Sequence, residues 1–281
     1  MLVYDAGPQY SRDSDAGQRV LLPLLRARGE TRIDRLVLSH RDNDHTGGAR
    51  AVLTALPVGE LMSSLEAEHP VLALSTKPTR CVAGQAWIWV GVRFDVLRPQ
   101  AGDYEHPAKP NALSCVVRIS GGGRCALLTG DIEREQEAAL VADLGAALGS
   151  DVLIVPHHGS RTSSSGAFLD AAQPTTAVFQ AGYRSRFGHP APNVLERYRD
   201  RGIAIALSPA CGAWLWLAAG PRNWRVPARR GASLLAPRGR ARLRLGGNSA
   251  QDAGRNETWP EVCLPFRGRS VDGTRLRRNA G

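Results

Sequence analysis

Strands alternating with helices, interrupted by an antiparallel middle, predict a layered α/β fold, and three observations carry that prediction. Short apolar or β-branched runs recur along the first 217 residues. Helical patterns lie between several of them and end at a glycine or before a proline. The stretch 87–129 holds strands with a glycine turn at 121–123 and no helical pattern. Mixed sheets whose faces are covered by helices stack in layers around buried apolar surface.

The runs at 2–4, 33–38, 87–97, 113–119, 125–129, 152–155, 176–179, 203–207 and 213–217 read as strands. Helices are expected over 18–28, stopped by Gly29, and over 48–56, stopped before Pro57. Three more are expected over 133–148, 167–172 and 193–201, the last stopped by Gly202. With 281 residues, 43% of them hydrophobic, the chain buries one sizeable core or two small ones. A single domain is expected over 1–220, followed by a tail over 221–281. Trp87 with Trp89 and Trp214 with Trp216 stand at strand spacing, so each pair shares a sheet face and reads as packing rather than a base-stacking platform.

The net charge of +10 belongs to the tail: residues 221–281 hold 14 Arg and 4 acidic residues, leaving 22 basic and 22 acidic groups in 1–220. Rich in Gly, Pro and Arg and without sustained periodicity, the tail has the composition of a disordered segment. With 34 Arg against 2 Lys in the whole chain, the excess reads first as a coding bias and second as an electrostatic arm for nucleic acid. No apolar stretch approaches the roughly 20 residues that span a bilayer. No signal peptide opens the chain, so expressed alone it is expected in the cytoplasm. Its five cysteines are odd in number, scattered and free of a CxxC pair. They imply neither a disulfide framework nor a cysteine zinc site, and read as small buried hydrophobes with one, Cys263, in the tail.

The stretch "SHRDNDHTGG" (39–48) concentrates chemistry. His40, Asp42, Asp44 and His45 follow an apolar strand and precede a helix, the strand-end position where α/β folds place their sites. One such residue would merely cap a helix, with Asp44 as the N-cap. Four in six positions suit zinc, manganese or iron rather than calcium. Three later stretches add donors beyond a strand: Asp131 in "ALLTGDIE", His157 and His158 in "DVLIVPHHGS", and His189 in "RFGHPAP". His69 and His106 lack a nearby donor and read as surface residues.

With "LVYDAGPQYSRDSDAG", "LVLSHRDNDHTGG", "NALSCVVRI", "ALLTGD", "PHHGS" and "GHP" in this order over about residues 1–217, the chain resembles the metallo-β-lactamase fold. More narrowly it is similar to the C-terminal metallo-β-lactamase-like domain of the DNA-internalisation competence protein ComEC. The resemblance implies an αββα sandwich and metal-dependent hydrolysis, and within competence proteins a nuclease that degrades one DNA strand during uptake, with single-stranded DNA as substrate. It implies two divalent cations, held by His40 and Asp42 on one side and Asp44 and His45 on the other. Asp131 would bridge them and His157 or His158 would complete a shell. Asp5, at the first motif, is expected to fix the histidine loop by hydrogen bonds. Asn111 and Ser114 stand where many relatives carry another histidine and are expected to touch a phosphate or close a turn. Ser160 and His189 are expected as phosphate contacts, with His189 a general acid to the leaving oxygen. Asp44, Asp131 and His189 are thus the expected catalytic residues.

Two departures bear on these expectations. Asp42 replaces the second histidine of the broader signature, and a harder oxygen donor moves the metal toward manganese or magnesium alongside zinc. The sequence begins at "MLVYDAGP", where family members have a preceding strand, and it contains no membrane channel. The sandwich is therefore expected to lack its first strand. Alternatives are an ester, thioester or lactam hydrolase on the same fold, and an inactive remnant that binds nucleic acid through its tail.

Deleting 221–281 is expected to flatten the salt dependence of DNA binding, because fewer counterions are released, and to leave turnover at saturating DNA unchanged. Binding across a salt series and single-strand cleavage check this; a folded, metal-loaded truncation without turnover would place the tail in the site.

Overall fold

The computed structural model describes residues 1–183, 185–218 and 262–264. Most of the predicted tail therefore lies outside the described residues. In the first half, β1 (Leu2–Tyr4) leads into a small hairpin of β2 (Gln9–Ser11) and β3 (Ser14–Asp15), followed by α1 (Leu22–Ala27). Then come β4 (Arg35–Leu38), the helical turn α2 (Asn43–Thr46), α3 (Ala49–Ala55), β5 (Leu61–Ser63) and β6 (Pro78–Arg80). Strands β1, β4, β5 and β6 pair in parallel, in the order β1-β4-β5-β6.

The second half begins with an antiparallel meander of β7 (Ala86–Trp89), β8 (Val92–Arg98), β9 (Val116–Gly121) and β10 (Arg124–Leu128). It continues through α4 (Arg134–Leu144), β11 (Val152–Ile154), α5 (Gly166–Ala172), β12 (Thr176–Phe179), α6 (Pro192–Arg199) and β13 (Ala204–Leu207). The last three strands extend the sheet in parallel, giving seven strands in the order β13-β12-β11-β10-β9-β8-β7. After the helical turn α7 (Ser208–Cys211), β14 (Ala213–Leu215) pairs with β15 (Val262–Leu264), so three residues of the segment expected to be disordered form a strand.

Side-chain alternation builds the layers. In β4, Leu36 and Leu38 face Leu25 of α1 and Val52 of α3, while Val37, beside Met62 of β5, faces the opposite way, toward Val96 of the larger sheet. In the larger sheet, Leu127, Leu153 and Phe179 pack beneath Leu140 of α4, Phe168 of α5 and Tyr198 of α6. The chain is a mixed α/β sandwich of helices, sheet, sheet and helices, as its periodicity and family resemblance imply.

Several boundaries differ for local reasons. The run at 87–97 is a hairpin, because Val90 (φ 50°) and Gly91 (φ 78°) make a two-residue left-handed turn between the paired Trp89 and Val92. The helix expected to reach 148 stops at Leu144, where Gly145 takes φ 48°. Leu113 closes a turn at Pro110–Leu113 and β9 begins three residues later. Strands β5 and β6 were not expected, being three residues long with no alternation to read. Cys81 and Cys115, read as separate hydrophobes, are joined as a disulfide in the core between the sheets, whereas Cys125 and Cys211 are free and buried. Opposed sheets bring together positions 34 residues apart.

Gly47 and Gly48 close the histidine loop by close approach, both at negative φ. A Cβ at Gly47 would lie 2.0 Å from the Gln9 nitrogen, and one at Gly48 2.3 Å from the Ala6 oxygen. Gly48→Ala is accordingly expected to destabilise the fold by about 1–3 kcal/mol, as overpacking against unyielding backbone does. Urea unfolding midpoints measure it, and an unchanged midpoint would contradict the close packing.

Candidate metal centre

Four chain turns meet beyond the C-terminal ends of β1, β4, β10 and β11. Asp5 follows β1 at φ 58°. Its Oδ1 accepts from the Ser39 amide (2.7 Å) and its Oδ2 from the Ser39 hydroxyl (2.9 Å), with His45 Nδ1 2.8 Å from the same Oδ2. The carboxylate thus ties both ends of the histidine loop to the adjacent strand. Asp42, not Asp44, is the N-cap residue of α2, and its side chain makes no capping bond. Both carboxylates are about half exposed at the rim, 45% and 48%.

Asp131 follows β10 and is buried. Its amide donates to Ser114 Oγ at 3.0 Å. The preceding Gly130 (φ 55°) has no room for a Cβ, which would fall 2.9 Å from Ser114 Cβ and 3.0 Å from Ser39 Cβ. His157 and His158 follow β11 with φ of 48° and 54°. Consecutive left-handed non-glycine residues are costly, of order 1–3 kcal/mol each, and gather at functional sites.

Four imidazoles surround Asp131, each with Nε2 on the Asp131 side. His45 Nε2 lies 3.2 Å from Oδ1, and the Nε2 atoms of His158, His157 and His40 lie 3.5, 3.8 and 3.9 Å from Oδ2. Each Nδ1 has another neighbour. For His40 it is Ser39 Oγ (3.0 Å), for His45 Asp5, for His157 Glu133 Oε1 (3.2 Å) and Thr162 Oγ1 (3.3 Å), and for His158 the Gln180 carbonyl oxygen (2.6 Å). An Nδ1 that donates to an acceptor leaves the Nε2 lone pair free to bind a cation.

Asp44, His45, Asp131 and His158 each offer an atom within 4.8 Å of the others. Beside this group, His40 Nε2 lies 3.6 Å from Asp42 Oδ2 and His157 Nε2 3.8 Å from Asp131 Oδ2. The sequence left His157 and His158 as alternatives; His158 falls within the group and His157 beside it. His40 Nε2 and His45 Nε2 are buried without a hydrogen-bond partner. A buried polar nitrogen is costly to leave unmatched, so the residues fit cations, and the mixed imidazole and carboxylate donors suit zinc or manganese.

Electrostatics favours an anionic Asp131. Burial alone would raise its pKa, but His45, 3.2 Å away, and the neighbouring His158 hold it below the usual carboxylate range. Burial works against protonated His45, yet Asp5 and Asp131 raise its pKa well above 6.5. His158 is raised against its burial by Asp44 and Asp131. The adjacent His40 imidazole lowers Asp42, and the His158 hydrogen bond lowers Asp44.

The remaining expected residues lie around this centre. Asn111 Nδ2 stands 3.5 Å from His157 Nδ1. Ser114 is fully buried under Asp131, and of its two expected roles, phosphate contact or turn closure, its hydroxyl takes the second by accepting from the Asp131 amide. Ser160 is also buried, and its hydroxyl is engaged with Thr162, 3.1 Å away, rather than turned to a substrate. His189 packs edge-on to His157 at 5.6 Å, and burial, then the charges of His157 and His158, lower its pKa. His69 is half-buried, its ring accepting from the Val71 amide in a turn. Ser39, Glu133, Thr162 and Gln180, which steady the histidines, were not anticipated. Ser39 lay in the quoted motif, but a backbone carbonyl such as that of Gln180 leaves no sequence signal.

This fold and donor set define a class: the chain belongs to the metallo-β-lactamase superfamily, whose family model matches residues 2–183. Members are generally metal-dependent hydrolases. The chain is similar to "Competence protein ComA" of Neisseria gonorrhoeae, with 39% identity over 70% of this chain and 27% of that protein. It is also similar to "Recombination protein 2" of Haemophilus influenzae, with 34% identity over 75% of this chain and 25% of that protein. The chain therefore spans about a quarter of the length of these relatives. Among solved structures, the metallo-β-lactamase fold protein YhfI of Bacillus subtilis aligns with a TM-score of 0.46 at 14% identity, over 73% of this chain and 83% of that one. Among the described residues, no helix is long and apolar enough to cross a membrane.

The pKa directions set a pH dependence for the metal-free protein. A histidine raised in the fold stabilises it below its unfolded pKa, and that contribution is lost as pH rises through the folded value. A lowered carboxylate stabilises above its unfolded pKa and loses that contribution as pH falls through the folded value. The cluster should therefore stabilise most between about pH 4 and 6.5 and lose His45's and His158's share on the alkaline side. Asp5→Asn should shrink that alkaline loss, in urea midpoints measured in EDTA across pH 4–9. An equal loss in the variant would show that His45 does not respond to Asp5.

Proposed function

We propose that the chain is a two-metal phosphodiesterase acting on single-stranded DNA. The observation carrying this reading is that Asp44, His45 and His158 gather with the buried Asp131 carboxylate while His40 and His157 also turn Nε2 toward it, the Nε2 atoms of His40 and His45 being without a hydrogen-bond partner. In this reading His40, Asp42 and His157 would hold one divalent cation and Asp44, His45 and His158 the other, with Asp131 shared. Paired cations of this kind activate water and stabilise the attacking and leaving oxygens of a displacement at phosphorus.

The chain's own residues orient and tune. Asp5, Glu133 and the Gln180 carbonyl oxygen keep Nε2 of three histidines inward, and Ser114 holds the Asp131 turn. Half-exposed Asp42 and Asp44 border the side from which a phosphate arrives, and Asp44 is positioned to take a proton from water. His189 and Asn111 would donate to phosphate oxygens. DNA is favoured as substrate by the likeness to a competence protein and a recombination protein. In a chain of the relatives' length, the domain would work beside a membrane channel that delivers the strand.

The reading is tested with purified protein loaded with manganese, zinc or magnesium, by metal analysis and cleavage of end-labelled single-stranded DNA. Asp131→Asn is expected to abolish cleavage and reduce bound metal while the chain stays folded. Asp5→Asn is expected to weaken metal binding about 10–100-fold, the usual effect of losing a partner behind a ligand. Full cleavage by Asp131→Asn would sink the two-metal reading, and metal-loaded protein inert on DNA would sink the nuclease reading.

A further inference from the structure

A cleft of about 630 Å³ opens onto the centre on the side of Asp44, His45 and His158, within the roughly 300–1,000 Å³ of small-ligand sites. Its walls come from two segments: residues 4–21, including the β2–β3 hairpin, and residues 180–183 and 185–189. Each wall presents an exposed aromatic ring, Tyr10 (55% exposed) on one and Phe187 (67% exposed) on the other. Each ring is accompanied by a guanidinium, Arg19 5.8 Å from the Tyr10 centroid and Arg186 4.7 Å from that of Phe187.

From Phe187 a stack of rings descends to the centre. His189 lies 6.0 Å from Phe187 with planes 23° apart, and His158 lies 6.5 Å from His189 at 27°. A second cavity of about 600 Å³ on the Glu133 and Thr162 side is lined by charges of both signs and by no Phe, Tyr or Trp. Stacking surface is thus concentrated in the first cleft.

Exposed rings beside arginines match one ligand chemistry: a flat heteroaromatic base joined to an anionic backbone. Every base has a π-face, so such rings bind single strands with little sequence preference, and guanidinium groups add charge and stacking of their own. Bases in a duplex are stacked on each other and cannot lie against a protein ring without being flipped out.

We propose that the cleft is a base-binding subsite that seats an unpaired nucleobase of single-stranded DNA against Tyr10 and Phe187, with Arg19 and Arg186 on the flanking phosphates. The subsite rests on the phosphodiesterase reading for its role, placing the next phosphodiester over the centre. It assigns single-strand selectivity to two rings that are not themselves candidate metal donors.

The test compares a fluorescent oligothymidylate with an abasic oligonucleotide of the same length, using the full chain, Tyr10→Ala, Phe187→Ala and the double variant. Both ligands carry the same phosphate charge, so attraction to the arginine-rich tail cancels in their ratio. Binding is read by anisotropy in EDTA, without cleavage. The wild type is expected to prefer the base-bearing strand about tenfold or more, and the double variant to bind both alike. With metal, the double variant should show raised KM for oligothymidylate with kcat little changed. Equal wild-type affinity for the two strands, or a preference that survives the double variant, would overturn the subsite even if DNA is cleaved. A base preference lost in the variants, with no cleavage under any metal, would uphold the subsite and overturn the phosphodiesterase reading.

Discussion

A carboxylate buried among four imidazoles is the constraint on which the rest of this structure depends. Asp131 is held as an anion, against its burial, chiefly by His45 and His158, and the Nε2 atoms of His40 and His157 also face it, all four reaching it from two other turns. Those turns are supplied by different sheets, the histidine loop by the small sheet and the paired histidines by the large one. The sandwich must therefore hold the C-terminal ends of β4, β10 and β11 together, and the Val37, Met62 and Val96 contacts between the sheets do so. Loss of packing there would separate opposite charges that have been stripped of water, a cost that grows in a low-dielectric interior.

The backbone carries part of the cost of that arrangement. Asp5, His157 and His158 sit at positive φ without being glycines, and each is held by bonds that extended backbone would break. Asp5 grips Ser39 and His45, and His158 grips the Gln180 carbonyl oxygen. Glycine appears where room rather than rotation decides: Gly47 and Gly48 let the loop lie on residues 6–9 and 17, while Gly130 needs both room and a left-handed turn. Local strain and close packing together fix where the ring nitrogens point, which flexible side chains on a relaxed loop would not do.

Around this rigid centre the protein keeps an uneven surface. One approach bears exposed rings and arginines, the other charges of both signs. The exposed rings of Tyr10 and Phe187 can vary without removing Asp5 or Gln180, which hold the histidines.

Much of the site was legible in the sequence because metal chemistry restricts the residue types. Four donors in six positions, followed by "GD" and "HHGS" after later strands, identify His40, Asp42, Asp44, His45, Asp131, His157 and His158 without coordinates. Layering was legible too, since alternation in β4 and β12 and helix stops at glycine are local signals. The sequence by itself singled out the candidate donors, the strand-end placement and the neutral body with a basic tail. Tertiary structure alone decided that His158 joins Asp44, His45 and Asp131, the burial of Ser114 and Ser160, the Cys81–Cys115 bond and the place of Tyr10 and Phe187 on one cleft. Each of these depends on the distance between segments far apart in the chain, and periodicity and spacing report only on neighbours along it.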